Sequence, residues 1–404
     1  MYVRKDYLEQ ITPFIDKPVI KVVTGMRRVG KSCFLLQVQD QLMKNSVKQS
    51  QMISISKELL EFDFIKTYTD LYEYIKKLSQ KKQTRYYVFI DEVQEIESWE
   101  KAVLSLFSEG NYDIFITGSN AHLLSSELAT LISGRYIEFP IYPLSFKDFV
   151  EFSGSADDVE KSFQKYIKFG GLPGIHNFSF SESEIFQYID AIYNTILLKD
   201  IVSRFNIRNI STLKKVSQFL FDNLGNIFSA KRITNYLKNQ KLSLTVDTVQ
   251  NYTQYLQDAF LIHKVHRFDI KGKRKLEIYE KYYLNDVGLR HAFLGYRELD
   301  IADLLENVVY LELKRRGFAV CIGKIGVKEI DFIATKHDKK YYIQVCYLLA
   351  SNETIQREIS AFDGITDHCP KILITMDKLK VSDSINGIRQ LNLINFLLNK
   401  ETLQ

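Results

Sequence analysis

Cysteine is scarce and scattered. The 404 residues hold four, Cys33, Cys321, Cys346 and Cys369, and no two of them form a CxxC pair. That spacing excludes a zinc ribbon and a disulfide framework, and the expected home is a reducing, cytoplasmic compartment. Long apolar runs are missing as well. The stretch MYVRKDYLEQITPF lacks the apolar core of a secretory signal, and nothing downstream approaches the length of a membrane span, so no membrane partner is expected. No internal repeat or low-complexity tract interrupts the chain. Neither sign of charge is in large excess. With 54 Lys and Arg against 49 Asp and Glu, the net +5 permits contact with nucleic acid without demanding it. What remains is the composition of a soluble globular protein, in a chain too long for one ordinary core.

Residues 1–150 alternate short apolar runs with amphipathic segments. VIKVVTG, QMISIS, RYYVFIDEV and YDIFITGS read as buried strands, with VGKSCFLLQVQDQL, DLYEYIKKLSQK and SWEKAVLSLFS as helices between them. This rhythm predicts an α/β domain, a parallel sheet with helices on both faces. AHLLSSELATLISG reads as a helix ending at Gly134. RYIEFPIYPLSF reads as extended chain, which Pro140 and Pro143 place near an edge or domain border. Residues 151–210 read as a helical lid or linker broken by the GGLPG turn. Residues 211–295 read as helices and a hairpin, and residues 296–404 as a C-terminal α/β domain with its own core.

One stretch carries chemistry. Gly25-Met26-Arg27-Arg28-Val29-Gly30-Lys31-Ser32, followed by Cys33, matches GxxxxGK[ST] between a strand and a helix. The glycines let the backbone curl so that successive N–H groups point at phosphate oxygens, and the following helix adds its positive end. Lys31 would reach the β- and γ-phosphates and the Ser32 hydroxyl would ligate Mg²⁺, so ATP and Mg²⁺ are the expected cofactors. Arg27 and Arg28 either touch phosphate or point to solvent.

A second stretch reinforces the first. The apolar run Tyr87-Val88-Phe89-Ile90 ends in Asp91-Glu92. Two carboxylates at the end of a buried strand are costly unless they serve something. Asp91 would hold Mg²⁺ through water, and Glu92 would polarise the attacking water as general base. A small-molecule kinase needs no such glutamate, whereas a hydrolase does. In ITGSN, Thr117, Ser119 or Asn120 would hydrogen-bond the γ-phosphate or that water, or else cap the next helix. Arg135 is a candidate transition-state cation, in cis or donated to a neighbouring subunit, and equally an ordinary ion-pair former. No NKxD string for guanine is present, which favours ATP over GTP.

Together GMRRVGKS, YVFIDEVQ, FITGSNAHLLSSELATLISGRYIEFPIYPLSFKDF and FGGLPG resemble bacterial and archaeal ATPases of the AAA superclass that carry a further C-terminal domain. The resemblance covers essentially the whole chain. It implies a P-loop NTPase sheet with an additional strand between the phosphate-loop strand and the magnesium-carboxylate strand. It also implies nucleotide-site roles for Gly25 to Ser32, Asp91 and Glu92, with a sensor at Asn120 or a neighbour.

The segment 211–295 has the layout of a winged helix. One helix ends near Gly225, SAKRITNYLK is a second capped by Ser229, and a third starts near Thr245. Val249, Tyr252, Leu256 and Ala259 fall on one stripe. The opposite face offers Thr248, Gln250, Asn251 and Gln254, side chains able to read base edges. A hairpin follows with Lys271, Lys273, Arg274 and Lys275 around its tip, suited to phosphate contacts with DNA or to docking on a protein.

The C-terminal segment resembles the PD-(D/E)XK restriction-endonuclease-like fold, with Glu306 on a helix, Asp331 on a strand, and Gln344 and Cys346 two apart on the next. In that chemistry carboxylates bind Mg²⁺ and a lysine orients water. Cys346 stands where the lysine belongs, and a neutral thiol cannot supply its charge. The leading expectation is an ATP-hydrolysing switch or motor, acting on DNA or a protein client and, if it forms a ring, coupling subunits through an arginine. An ATP-gated DNA nuclease and a nucleotide-loaded regulator with little turnover are the alternatives.

Overall fold

The computed structural model describes residues 2–81, 84–121, 134–154, 158–179, 181–297, 300–378, 384–385 and 387–403. The chain divides into two compact units, Met1–Ile141 with Asp258–Phe260, and Tyr142–Gln257 with Leu261–Gln404.

The first unit runs α1 (Lys5–Ile11), β1 (Ile20–Thr24), α2 (Lys31–Lys44), β2 (Met52–Ser56), α3 (Tyr68–Leu78), β3 (Tyr86–Asp91), α4 (Trp99–Glu109), β4 (Tyr112–Gly118) and β5 (Tyr136–Pro140). Its five strands are all parallel in the order β2-β3-β4-β1-β5. The expected additional strand is therefore β4, lying between β3 and β1, and the proline-bearing β5 is an edge strand. The helix expected over AHLLSSELATLISG lies outside the described residues, apart from its ends.

Strand alternation divides the two faces of the sheet. Ile20, Val22, Ile53, Ile55, Val88, Ile90, Ile114 and Ile116 pack with Leu71 and Ile75 of α3 and with Trp99, Val103 and Leu106 of α4. Phe89 and Phe115, of the other parity, stack with ring centroids 4.8 Å apart. Phe34, Leu35 and Val38 of α2 are buried away from the α3–α4 cluster, so helices cover both faces. Lys21 and Asp113 form a fully buried ion pair in this sheet, with the Lys21 ammonium over the Phe115 ring. Full burial makes each partner costly to remove alone.

The second unit begins with α5 (Phe146–Ser153), α6 (Val159–Phe169) and α7 (Glu182–Thr195), the last continued by a π turn over Ile196–Val202. Then come α8 (Ile210–Asp222), α9 (Ala230–Asn239), α10 (Val246–Asp258), the hairpin of β6 (Ile262–Asp269) and β7 (Arg274–Leu284), α11 (Val287–Leu294) and α12 (Ile301–Arg315). The remainder is β8 (Ala319–Ile325), β9 (Lys328–Lys336), β10 (Lys339–Cys346), α13 (Asn352–Ser360), β11 (Lys371–Thr375), β12 (Ser384–Ile385), β13 (Ile388–Asn392) and α14 (Leu393–Leu398). Ser229 caps α9 by accepting the Arg232 N–H, and Thr245 accepts the Thr248 N–H at the start of α10.

Two features here go beyond local pattern. Gly170 has φ +77°, and a Cβ on it would lie 1.9 Å from Asp286 Oδ1. The space is reserved because the buried Asp286 carboxylate accepts the Gly171 N–H at 2.6 Å and the Gly288 N–H at 2.9 Å. Burial pushes this carboxyl up to about 6 against those hydrogen bonds. FGGLPG is thus the seat for a carboxylate 115 residues downstream. Second, β6 pairs in parallel with β8, Arg267–Asp269 opposite Ile322–Lys324. The hairpin of the segment 211–295 and the strands of 296–404 form one eight-stranded sheet, β12-β13-β11-β10-β9-β8-β6-β7.

Candidate nucleotide site

The loop between β1 and α2 is shaped by backbone conformations that few residues adopt. Gly25, Arg28 and Gly30 have φ of 144°, 67° and 99°. A Cβ at Gly25 would stand 2.3 Å from the Ile141 carbonyl oxygen. The left-handed turns at Arg28 and Gly30 curl successive amides into a concave nest at the N-terminus of α2. Met26 and Val29 anchor the loop, both fully buried, while Arg28, Ser32 and Cys33 are exposed and Arg27 is half-buried.

Lys31 is turned inward. Its Nζ donates to the Gly25 and Met26 carbonyls at 3.0 and 3.2 Å and lies 3.5 Å from Glu92 Oε1. Both side chains of this pair are under a tenth exposed. Two strand ends therefore converge: β1 delivers the lysine through its loop, and β3 delivers Asp91 and Glu92. Glu92 has φ +54°, an uncommon conformation for a residue with a Cβ, and its N–H donates to Thr117 Oγ1 at 2.9 Å. The Thr117 hydroxyl in turn donates to Asp91 Oδ1 at 2.5 Å. Thr117 on β4 thus holds both carboxylate residues in place.

The Glu92 carboxylate has two further partners. Ser119 Oγ donates to Glu92 Oε2 at 3.0 Å, and Gln94 Nε2 donates to the same oxygen at 2.5 Å. Burial alone would favour the neutral acid. The Lys31 and Arg27 charges and these two hydrogen bonds outweigh it, so the Glu92 carboxyl titrates below its ordinary range. Arg27 thus acts on the site through its charge, whereas Arg28 faces solvent.

Of the strand-end candidates, Thr117 and Ser119 touch the acidic pair, and Asn120 is buried beside them. Gln94 was not among the sequence candidates, although it stands two residues after Glu92 in a polar turn. Arg135 is a correction within this chain. Its carbonyl accepts the Ile20 N–H, at the start of β1, while the phosphate loop follows the end of that strand. Parallel pairing of β5 with β1 puts the exposed Arg135 at the opposite end of the sheet from Lys31.

In the segment 211–295, Gln250, Asn251 and Gln254 of α10 are exposed, Thr248 is half-buried, and Val249, Leu256 and Ala259 are buried as the stripe requires; Tyr252 is half-buried. Lys271, Lys273, Arg274 and Lys275 are all exposed at the hairpin tip. Phe228, just before α9, bridges to Glu280 of β7 and stacks on Tyr282 at 5.1 Å, tying the three helices to the hairpin.

The nuclease-like candidates are only partly assembled. Glu306 of α12 and Asp331 of β9 come together around Lys281 of β7. Gln344 lies beside Asp331, accepting its N–H at 3.2 Å and donating to Glu358 at 3.1 Å. Cys346 packs instead into an apolar cluster with Leu349, Phe362 and Ile388, and burial pushes its thiol up to about 11. Lys281 and Glu329, which complete the cluster, were missed by sequence reasoning; Glu329 precedes Asp331 by two residues on one strand, while Lys281 arrives from another.

Residues 17–150 match the AAA domain family, and residues 160–300 match a domain of unknown function. An uncharacterized protein of Haemophilus influenzae is 37% identical over 401 residues, covering 98% of this chain and 99% of its own length. An uncharacterized protein of Methanocaldococcus jannaschii is 33% identical over 367 residues, 85% of this chain and 78% of its own. Among solved structures, a Walker-type ATPase of Pyrococcus abyssi superposes with a TM-score of 0.50 at 14% identity, over 72% of this chain and 96% of its own. That likeness concerns the fold alone. Among the described residues, no helix is long and apolar enough to cross a membrane.

Proposed function

This chain belongs to the P-loop ATPases of the AAA type, and from that premise we propose that it hydrolyses Mg-ATP at Gly25–Ser32, with Glu92 as general base. The observation that carries the reading is the meeting of Lys31 and Glu92, 3.5 Å apart, at the ends of two non-adjacent strands. The loop amides would cradle the β-phosphate, and Lys31 would leave the Gly25 and Met26 carbonyls to meet the β- and γ-oxygens. The donors fit magnesium: the exposed Ser32 hydroxyl and the Asp91 carboxylate are hard oxygen ligands. When bound, the ion would neutralise charge on the β- and γ-phosphates. Glu92, released from Lys31 as phosphate arrives, would accept a proton from the attacking water, held in orientation by Gln94 and Ser119. Thr117, Ser119 or Asn120 would sense the γ-phosphate. Arg135 is suited to a role only in trans, on a neighbouring subunit of a ring.

The segment 211–295 supports a DNA-directed version of this switch. Three helices, the Phe228 bridge and a hairpin follow in the order of a winged helix, with exposed amides at Gln250, Asn251 and Gln254 and a basic tip at Lys271–Lys275. The test is steady-state phosphate release with Mg²⁺, with and without duplex DNA, on the native protein and on Lys271→Ala/Arg274→Ala. Turnover that rises several-fold with DNA, and loses that rise in the double variant, supports a DNA client. Turnover indifferent to DNA points to a protein client, and absence of turnover overturns the hydrolase reading.

A further inference from the structure

The carboxylates of the C-terminal sheet are already occupied. Lys281 Nζ lies 2.9 Å from Glu306 Oε1, 2.6 Å from Glu329 Oε1 and 3.9 Å from Asp331 Oδ1, and its side chain is 4% exposed. The four residues come from three separate elements: β7, α12 and β9. Their remaining lone pairs are partly spent. The Tyr283 hydroxyl donates to the same Glu306 oxygen, and the Val345 N–H donates to Asp331 Oδ2 at 2.8 Å. Among the described residues, no group of three or more His, Cys, Asp or Glu side chains is placed to hold a metal ion.

A nuclease-like reading of this segment implies Mg²⁺ on these carboxylates, and the residues do not fit it. Mg²⁺ demands oxygen ligands at about 2.0–2.1 Å in an octahedron that keeps several waters. Here the centre of the cluster holds an ammonium that is itself 4% exposed, and a divalent ion beside it would bring cation against cation in a largely buried site. Cys346, at the position where a catalytic lysine was expected, faces the apolar cluster and offers no charge.

We propose that Lys281 replaces the metal: the cluster is a lysine-locked site, closed to divalent cations, that fastens the basic hairpin to the C-terminal sheet. The lock explains how three carboxylates are accommodated in a mostly buried place with a cysteine at position 346 of β10. It also gives the hairpin a rigid root. Lys281 sits on β7, the strand that begins at Arg274 beside the exposed basic tip. An ion pair to α12 and two to β9 fix that strand at the edge of the sheet. The carboxylates thus serve to orient a cationic finger, and not to cut a phosphodiester.

The proposal is independent of the nucleotide site and is tested without nucleotide. Mn²⁺ binding to the full chain is followed by loss of the free-ion electron paramagnetic resonance signal. The native protein and Asp331→Asn are expected to titrate identically. Lys281→Ala is expected to gain one Mn²⁺ equivalent, which Lys281→Ala/Asp331→Asn loses again. Should Lys281→Ala fail to fold, Lys281→Arg, which keeps the charge, is expected to fold and to titrate like the native protein. A native Mn²⁺ equivalent that disappears with Asp331, or a folded Lys281→Ala that gains none, overturns the lock. So does metal-dependent cleavage of duplex DNA by the native chain that is abolished by Asp331→Asn.

Discussion

Glu92→Gln separates the two tasks of one side chain. In the absence of nucleotide, Glu92 is both the base in waiting and a counter-ion for Lys31 at 3.5 Å. The gross attraction at that distance is about 5 kcal/mol for an effective dielectric constant of ~20, and desolvation cancels most of it, leaving a net of about 1–2 kcal/mol. ATP must draw Lys31 away from this competitor. Removing the charge therefore strengthens ATP binding by roughly 5–30-fold, the equivalent of that net energy. The same substitution removes a general base, which lowers turnover by about 10²–10⁴-fold. Equilibrium binding of a fluorescent ATP analogue and single-turnover phosphate release measure the two effects on one preparation. Because Lys31 and Arg27 hold the Glu92 carboxyl below its ordinary value of 4.5 in the nucleotide-free protein, the acid limb of the native kcat/KM profile, which reports the free enzyme, is expected below that pH. The reasoning fails if Glu92→Gln turns over within about tenfold of the native rate, or if it binds ATP more weakly than the native chain.

Lys31→Ala removes the phosphate ligand and leaves Glu92 buried without its cation. It should weaken ATP binding by about 10–100-fold and lower the thermal midpoint of the free protein, both read by thermal shift with and without Mg-ATP. Gly170→Ala drives a Cβ into the Asp286 carboxylate at φ +77° and should cost about 3 kcal/mol or more in urea unfolding; a variant as stable as the native chain would remove the role given to FGGLPG. His263, its Nε2 3.0 Å from Asn285 Oδ1 and its ring against Tyr142 and Tyr310, titrates at about 4, because burial disfavours its charge. Its folded value lies below the ordinary 6.5, so the unfolded chain takes up the proton first and stability falls as pH drops from 6.5 towards 4. His263→Gln cannot titrate, so its stability deficit against the native protein should shrink by up to about 3 kcal/mol over that window. A deficit independent of pH in chemical denaturation would show that the imidazole is not held neutral.

Much of the first unit was legible because its chemistry is local. A strand, a glycine-bearing turn and a helix N-terminus lie within 13 residues, and the apolar run before Asp91-Glu92 marks a buried parallel strand by composition alone. The alternation of runs also carried the parallel sheet. What escaped depended on approach between distant segments. Gln94 was hidden in plain view, since only the left-handed turn at Glu92 brings a side chain two positions on back to its carboxylate. Whether Arg135 could serve this chain's own site was open in the sequence, because a parallel strand returns to the start of its neighbour and no local pattern states at which end of the sheet a residue emerges. Lys281 lies 25 residues from Glu306 and joins Glu329 and Asp331 through the pairing of β6 with β8 and β8 with β9, which no periodicity in any of these strands announces. Cys346 stands where a lysine was expected, and the cation beside Asp331 comes from β7, a strand outside that segment.

The parallel seam between β6 and β8 has a practical meaning for anyone dividing the gene. A cut near residue 295 looks natural from the helices on either side, but it would sever a sheet between its third and second strands from one edge. The upstream fragment would carry a two-stranded ribbon with one bare flank, and the downstream fragment would newly bare β8 over Ile322–Lys324. Rows of unsatisfied amides and carbonyls of this kind invite intermolecular pairing. The hairpin of β6 and β7 and the strands after 319 therefore belong in one piece, and fragments meant to isolate either will be sticky unless the hairpin travels with the sheet.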